Sequence, residues 1–273
     1  MTEGRLAFRD LIRGLRQLQL PPGSPVLVHS SIDLVEKAQG GGESIIGALL
    51  TSFQTVLMPA FSLRVMLIPE VGPENNALLY GSGGEKNLEV EFFRPDLPVD
   101  LDLGPIAELL RRDRRSRRSI HPLLSFSGTN AKPFLEAQTI QEPLGIIGAL
   151  EKAGGWVLLM DLDHTANISI HWAERLAGRR QFLRWALTPR GVVECPSFPG
   201  CSQGFNALAA RLEGLTRKIE IGKVSIQAVP IAETIAISRA WIEADPYALL
   251  CENSTCLFCR AVERDNGVDF VKK

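Results

Sequence analysis

Residues 154–174, G-G-W-V-L-L-M-D-L-D-H-T-A-N-I-S-I-H-W-A-E, hold the densest set of groups able to move a proton. His171 and Glu174 stand three apart, a spacing that sets two side chains on one helix face within hydrogen-bonding reach. A carboxylate beside an imidazole fixes the ring tautomer and stabilises the protonated ring, as a general base requires. The same two residues also make an ordinary core or capping histidine next to a solvated glutamate, and the pair alone does not separate the two readings. Asp163, His164 and Ser169 add a carboxylate, a second imidazole and a hydroxyl to the same segment. With His171 and Glu174 they form the candidate catalytic set, and His164 beside Asp163 is the alternative base.

Such groups need rigid elements behind them. Trp156–Met160 is a short apolar run after a Gly-Gly break, which reads as a buried strand emptying into the polar residues that follow. Residues 26–28 and 55–59 read as two further strands, and 123–127 as another. Helices are expected at 8–18, 44–53, 104–112, 128–138, near 205–215 and at 231–245, with a hairpin at 181–194 and strand material at 219–230. Strands alternating with helices from residue 26 to about 175 predict an α/β/α sandwich with a largely parallel central sheet. A smaller β or irregular C-terminal part follows it. The chain's four histidines, His29, His121, His164 and His171, all fall at predicted strand ends. Ligands of α/β sheets bind beyond the carboxyl ends of the strands, so one shared cleft accounts for all four.

Three further stretches bear on a ligand. His29-Ser30-Ser31 follows the first strand, and Gly40-Gly41-Gly42 then opens a helix. That order suits an anion held by backbone N–H groups, and equally a surface loop. Residues 64–102 lose periodicity and are rich in acids, which suits a binding loop for a cation or a solvated surface. Residues 111–118 hold six arginines, and arginine grips phosphate bidentately. The net charge of -1 argues against nucleic acid as the partner, and no apolar run approaches the roughly 18 residues of a membrane span. The N-terminal residues lack a signal-peptide core, so the expected location is cytoplasmic. Five cysteines suit reduced thiols. Cys201, Cys251, Cys256 and Cys259 are the alternative as a structural Zn2+ site, although their spacings are not those of a standard finger.

V-L-V-H-S-S followed by G-G-G-E, then T-V-L-M-P-A-F-S, L-G-P-I-A-E-L-L-R, R-S-I-H-P-L-L-S-F and D-H-T-A-N-I-S-I-H-W-A-E occur in this order. In that order the chain resembles the aminoglycoside 3-N-acetyltransferase family over about residues 10–240. The resemblance implies a fold distinct from the GNAT acetyltransferases and acetyl-coenzyme A as donor. It implies a coenzyme site lined by His29, Ser30, Ser31, Gly41, Gly42, Arg118, Ser119, His121 and Ser125. It makes His171 the base near the acceptor amine, with Glu174 supporting it. Two departures stand out: Ile168 where members carry Thr three residues before the base, with a hydroxyl at Ser169 instead, and Ser52-Phe53-Gln54 in place of a glycine-rich turn.

The function this implies is acetyl transfer to an amine of an aminoglycoside or similar cationic amine, by direct transfer with a histidine base, and hence antibiotic resistance. Acetylation of a different, biosynthetic amine is the alternative, as is a coenzyme- or metal-binding member without turnover. Expected partners are acetyl-CoA and the cationic amine, with neither nucleic acid nor membrane, and a homodimer is admissible. Residues 1–273 are read as a single acetyltransferase-like domain, with 64–102 as a substrate-side loop and 246–273 as a Cys-rich tail.

Overall fold

Residues 26–28 and Trp156–Met160 carry apolar side chains at consecutive positions rather than alternate ones, so both faces of each strand need cover. The computed structural model describes residues 5–267 and supplies that cover from two layers of helices. Residues 1–4, and residues 268–273 of the cysteine-rich tail, lie outside the described residues.

In chain order the elements are α1 (Phe8–Gln17), β1 (Val26–Ser30), α2 (Leu34–Lys37), α3 (Gly41–Ser52), β2 (Val56–Pro59), β3 (Met66–Leu67), α4 (Gly84–Leu88), α5 (Gly104–Arg112), β4 (Ser116–Arg118), β5 (Phe126–Thr129), α6 (Lys132–Leu135) and α7 (Gly145–Lys152). They continue with β6 (Trp156–Met160), α8 (Ser169–Leu176), β7 (Phe182–Thr188), β8 (Gly191–Phe198), α9 (Ala209–Leu212), β9 (Arg217–Ile221), β10 (Val224–Pro230), α10 (Ile231–Ala244) and α11 (Leu257–Asp265).

The main sheet runs β4-β5-β2-β1-β6-β10-β9. Its centre, β2-β1-β6, is parallel. The flanking pairs are antiparallel. Parallel pairing needs a crossover, and the helices between β1, β2 and β6 provide it, whereas β9 and β10 are joined by a tight turn at Gly222, φ +60. Residues 219–230 are therefore the greater part of a hairpin rather than one run of strand. Side chains alternate across the central strands. Val26, Val28, Val56, Met58, Leu158 and Met160 pack against Leu11, Leu15, Ile45, Leu49, Ile106 and Leu110 of α1, α3 and α5. Leu27, Leu57, Val157 and Leu159 meet Ile146, Ile147, Leu150, Ala173 and Ile235 of α7, α8 and α10. Full burial of one such side chain contributes about 1.5–3 kcal/mol. These contacts make the α/β/α sandwich.

Some local expectations change. The helix expected at 128–138 is the end of β5 followed by the single turn of α6, with Asn130 at φ +51 between them. Residues 205–215 form mainly 3-10 turns. The tail carries α11, amphipathic, with Cys259, Ala261 and Val262 buried. Residues 64–102 do not simply hang over the cleft. They contribute β3 to a second, antiparallel sheet β3-β7-β8, and Phe93 and Leu97 pack with Val65, Leu123, Leu124 and Ala186. Among the described residues, no helix is long and apolar enough to cross a membrane.

Candidate active site

The parallel register of β1 and β6 pairs Ser30 with Met160, so both strands end at the same level. The Ser31 N–H donates to Met160 O at 3.0 Å and fixes the first residue beyond. At this edge lies a cleft of about 600 Å³, lined by His29, Ser30, Ser31, Pro59, Asn167 and His171, with Val28, Met58, Phe61, Leu124 and Leu162 as apolar wall. The chain proceeds from β1 to β2 on one side and later to β6 on the other, so the cleft sits where the strand order reverses. His29 Nε2 and the hydroxyls of Ser30 and Ser31 are buried and have no partner in the protein. Orphaned polar atoms of this kind cost about 1–3 kcal/mol each, a cost that a polar ligand against this wall offsets.

His171 enters the cleft from α8. Its Nδ1 lies 2.6 Å from Glu174 Oε2, so Nδ1 carries the proton and Nε2 is left as acceptor. Glu174 Oε1 accepts from Arg179 Nη1 at 2.7 Å. Arg179 Nη2 in turn donates to Pro246 O at 2.9 Å and to Ala248 O at 2.7 Å. All three side chains are buried, with Glu174 only 3% exposed. The opposite charges of Glu174 and Arg179 compensate each other there. Phe205 holds the imidazole edge-on at 4.7 Å. The arrangement is an oriented ring with one free nitrogen facing a cavity, able to take a proton.

The other candidate catalytic residues do not line the cleft. Asp163 caps the turn at residues 164–166, its Oδ1 accepting from Thr165 N at 2.9 Å and Thr165 Oγ1 at 2.5 Å. His164 is buried against Asn167 Nδ2, 3.3 Å from its Nδ1, and burial lowers its pKa. Ser169 Oγ donates to Asn167 Oδ1 at 2.7 Å. These three shape the turn that aims α8.

The implied coenzyme residues divide similarly. His29, Ser30 and Ser31 are on the cleft wall. Gly41 and Gly42 lie behind it. Gly41 needs its φ of +62, and a Cβ on Gly42 would fall 2.4 Å from Leu109 Cδ1, so turn geometry and helix packing explain both. Ser119 Oγ accepts from Phe126 N at 2.9 Å, and Ser125 Oγ donates to Ala60 O at 2.6 Å. His121 Nδ1 accepts from Leu123 N at 3.2 Å and Leu124 N at 3.0 Å, which leaves its buried Nε2–H without a partner. They brace the loop that carries Leu124 to the cleft. Two others of the basic run are paired at home, Arg111 with Glu108 at 2.6 Å and Arg115 with Asp113 at 2.8 Å.

Arg118 is spent on protein acceptors. Nε donates to Ser125 Oγ at 3.0 Å, Nη1 to Pro95 O at 3.3 Å and to Leu97 O, and Nη2 to Ala60 O and Ser62 Oγ, both at 2.5 Å. With five donors occupied, none remains for a phosphate. The expected result of Arg118→Ala is lost stability, about 1–3 kcal/mol for each acceptor left buried and unpaired, with coenzyme affinity of the folded protein nearly unchanged. Urea unfolding and calorimetry on the same preparation check it. Weakened coenzyme binding at unchanged stability would restore the phosphate role.

Burial pushes His29 and His121 each down to about 4, from an ordinary 6.5. Both are neutral in the fold, while an unfolded chain protonates them as pH falls below about 6.5. The unfolded state therefore binds more protons between about pH 6.5 and 4, and stability drops as pH falls through that window. Their loss is about 2 kcal/mol per histidine by about pH 5. Urea titrations at about pH 7 and 5 should show it, with a shallower drop in His121→Asn; an equal drop in that variant would exclude His121 as a source.

Several cleft residues carried no sequence signal of their own. Asn167 sits between two candidates and organises both. Asp33 and Asp102 place carboxylates on the rim, and Asp102 is what the 64–102 stretch brings to the cleft. Arg179 was visible only as one of two arginines after a glycine, because its partners come from residues distant in sequence. The sulfurs of Cys201, Cys251, Cys256 and Cys259 converge, all within 4.8 Å of one another, and Cys201 and Cys259 share a small cleft with Glu174 and Arg179.

A model of the family described as aminoglycoside 3-N-acetyltransferase matches residues 27–243. The aminoglycoside N(3)-acetyltransferase IV of Salmonella sp is 29% identical over 180 residues, which is 62% of this chain and 58% of that relative. The chain thus matches less than two thirds of that relative's length. Among solved structures, aminoglycoside acetyltransferase AAC(3)-IVa as apoenzyme aligns over 97% of this chain and 99% of its own, with TM-score 0.78 and 22% identity. AAC-IIIb in binary complex with CoASH covers 88% of this chain and 97% of its own, with TM-score 0.70 and 22% identity.

Proposed function

Because the chain belongs to the aminoglycoside 3-N-acetyltransferase family, we propose that it transfers an acetyl group from acetyl-coenzyme A to an amine of an aminoglycoside or similar cationic amine, in the cytoplasm. The observation that carries this reading is His171, oriented by Glu174 and Arg179, on the wall of the same cleft as His29, Ser30 and Ser31.

The solved relative with CoASH supports a coenzyme in this fold, and the unpartnered atoms on the β1 wall fit one. Bound acetyl-coenzyme A supplies the acetyl group as a thioester, activated toward an amine. Ser30 and Ser31 hydroxyls are the donors for the acyl oxygen, where negative charge develops during attack. His29, held neutral by burial, adds a polar contact without placing a charge beside the thioester. An ammonium has no lone pair, so the acceptor reacts as the free amine; His171 Nε2 takes a proton from its nitrogen as the C–N bond forms and the C–S bond breaks, and the imidazolium gives that proton to the departing thiolate. Glu174 stabilises the resulting imidazolium, and Arg179 keeps Glu174 aimed at the ring. Asp33 and Asp102 on the rim attract the remaining positive charges of a polyamine acceptor and hold one amine toward the base.

Steady-state acetylation over a panel of aminoglycosides, linear polyamines and small biosynthetic amines tests the assignment, read as release of the coenzyme thiol. Turnover is expected on multiply charged amines, with kcat/KM falling when one distal charge is removed. Coenzyme binding without turnover on any amine would reject the enzyme reading in favour of a binding protein.

A further inference from the structure

We propose that Cys201, Cys251, Cys256 and Cys259 hold one structural Zn2+ ion, which fastens the cleft wall to the C-terminal helix. This goes beyond the acetyl-transfer reading and does not depend on it.

The four ligands come from distant places. Cys201 lies in the loop after β8, Cys251 in the loop after α10, Cys256 at the cap of α11 and Cys259 in its first turn. The fold nevertheless brings all four Sγ atoms within 4.8 Å of one another. A tetrahedron with Zn–S of about 2.3 Å has its sulfurs about 3.8 Å apart, so only small shifts of the sulfurs are needed. Thiols that serve only as packing disperse among apolar neighbours, as Cys195 does in the cluster with Val65 and Phe93. Here they collect around a common centre, with Cys251 and Cys259 sulfurs 3.4 Å apart.

A second feature is independent of the sulfur positions. Backbone N–H groups already point at two of them, Gln203 N to Cys201 Sγ at 3.4 Å and Cys251 N to Cys259 Sγ at 3.4 Å. Such N–H···S bonds are the supporting shell that stabilises metal thiolates. Binding releases the four thiol protons to solvent and leaves a centre of net charge -2. Arg179 and Arg180, paired with Glu174 and Asp265, line the small cleft adjoining Cys201 and Cys259. Four thiolates in tetrahedral array suit zinc, with iron as the other metal such a set takes.

The site braces both sides of the catalytic constellation. Pro199, Gly200 and Ser202, which flank Cys201, line the main cleft. Pro246 and Ala248, which receive Arg179, precede Cys251 on the chain.

Full-length protein purified under reducing conditions without chelator should contain one zinc and no iron per chain by plasma mass spectrometry. Stripping with a chelator should lower Tm, and Zn2+ should restore it. Stripped protein should take up one Co2+ and show the thiolate-to-cobalt absorption of a tetrahedral site, which Zn2+ then bleaches. Cys256→Ser should lose the metal, and Cys195→Ala should keep it. Zinc far below one per chain with no cobalt absorption, iron in its place, or a Cys251–Cys259 disulfide in the unstripped protein would each overturn the proposal. The cobalt titration uses the parent sequence, so it decides even where a cysteine variant fails to fold.

Discussion

The His171→Asn variant is expected to bind coenzyme A as the parent does and to turn over about 10²–10⁴-fold more slowly. Asn fills much of the imidazole volume and retains a polar contact to Glu174, but offers no basic nitrogen to the acceptor amine. The loss therefore falls on kcat, because proton removal belongs to the transition state and not to ground-state binding. Glu174→Gln leaves the proton acceptor in place and weakens only its orientation and the stabilisation of its charged form. It is expected to cost less than the loss of the ring. Single-turnover kinetics with calorimetric coenzyme affinity separates these effects. An active His171→Asn enzyme would return the pair to a packing role.

The largest stability effect is expected at Arg179. Arg179→Met removes the partner of Glu174, a carboxylate 3% exposed, and leaves Pro246 O and Ala248 O without donors. Breaking a buried ion pair from one side costs about 3–5 kcal/mol, because the remaining charge stays desolvated. Replacing both members, Glu174→Gln with Arg179→Met, removes that charge and should recover part of the loss. Urea unfolding of the two singles and the double gives the coupling directly. A single Arg179→Met that unfolds within about 1 kcal/mol of the parent would show the pair to be dispensable. Arg179 also keeps Glu174 from swinging away from the ring, so surviving Arg179→Met enzyme should turn over more slowly at unchanged coenzyme affinity.

What the sequence disclosed follows the range of the interactions involved. Trp156–Met160 and the strand at 26–28 were legible because a fully buried parallel strand writes its environment into consecutive residues. His171 and Glu174 were legible because their contact is local to one helix, three residues apart. Arg179 was not, since its carbonyl acceptors lie 67 and 69 residues away and a carbonyl has no residue signature. The motif around Arg118, Ser119 and His121 was recognised, yet its polar atoms bind the loop's own backbone. Order along the chain cannot tell a residue that touches a ligand from one that positions its neighbour. The helix at Gly145–Lys152 carries two glycines in eight residues, and packing against α8 and α10 overrides their weak propensity. The hairpin β9-β10 reads as one strand because its turn spends only two residues, Gly222 and Lys223, on the reversal.

The two carbonyl oxygens that receive Arg179 belong to residues 246 and 248, past residue 243 where the family match ends. The hydrogen-bonded chain from His171 through Glu174 to Arg179 therefore does not respect that boundary. A chimera that kept residues 27–243 and borrowed its remaining C-terminal stretch from a relative would inherit the histidine and its glutamate intact, and still misaim them. The borrowed stretch would have to present acceptors to the guanidinium two residues apart, in a turn like that at Asp245–Ala248, where Ala248 N donates to Asp245 O at 3.0 Å. Loop exchanges between relatives thus belong inside the frame, leaving the last turn with the histidine and glutamate it aims.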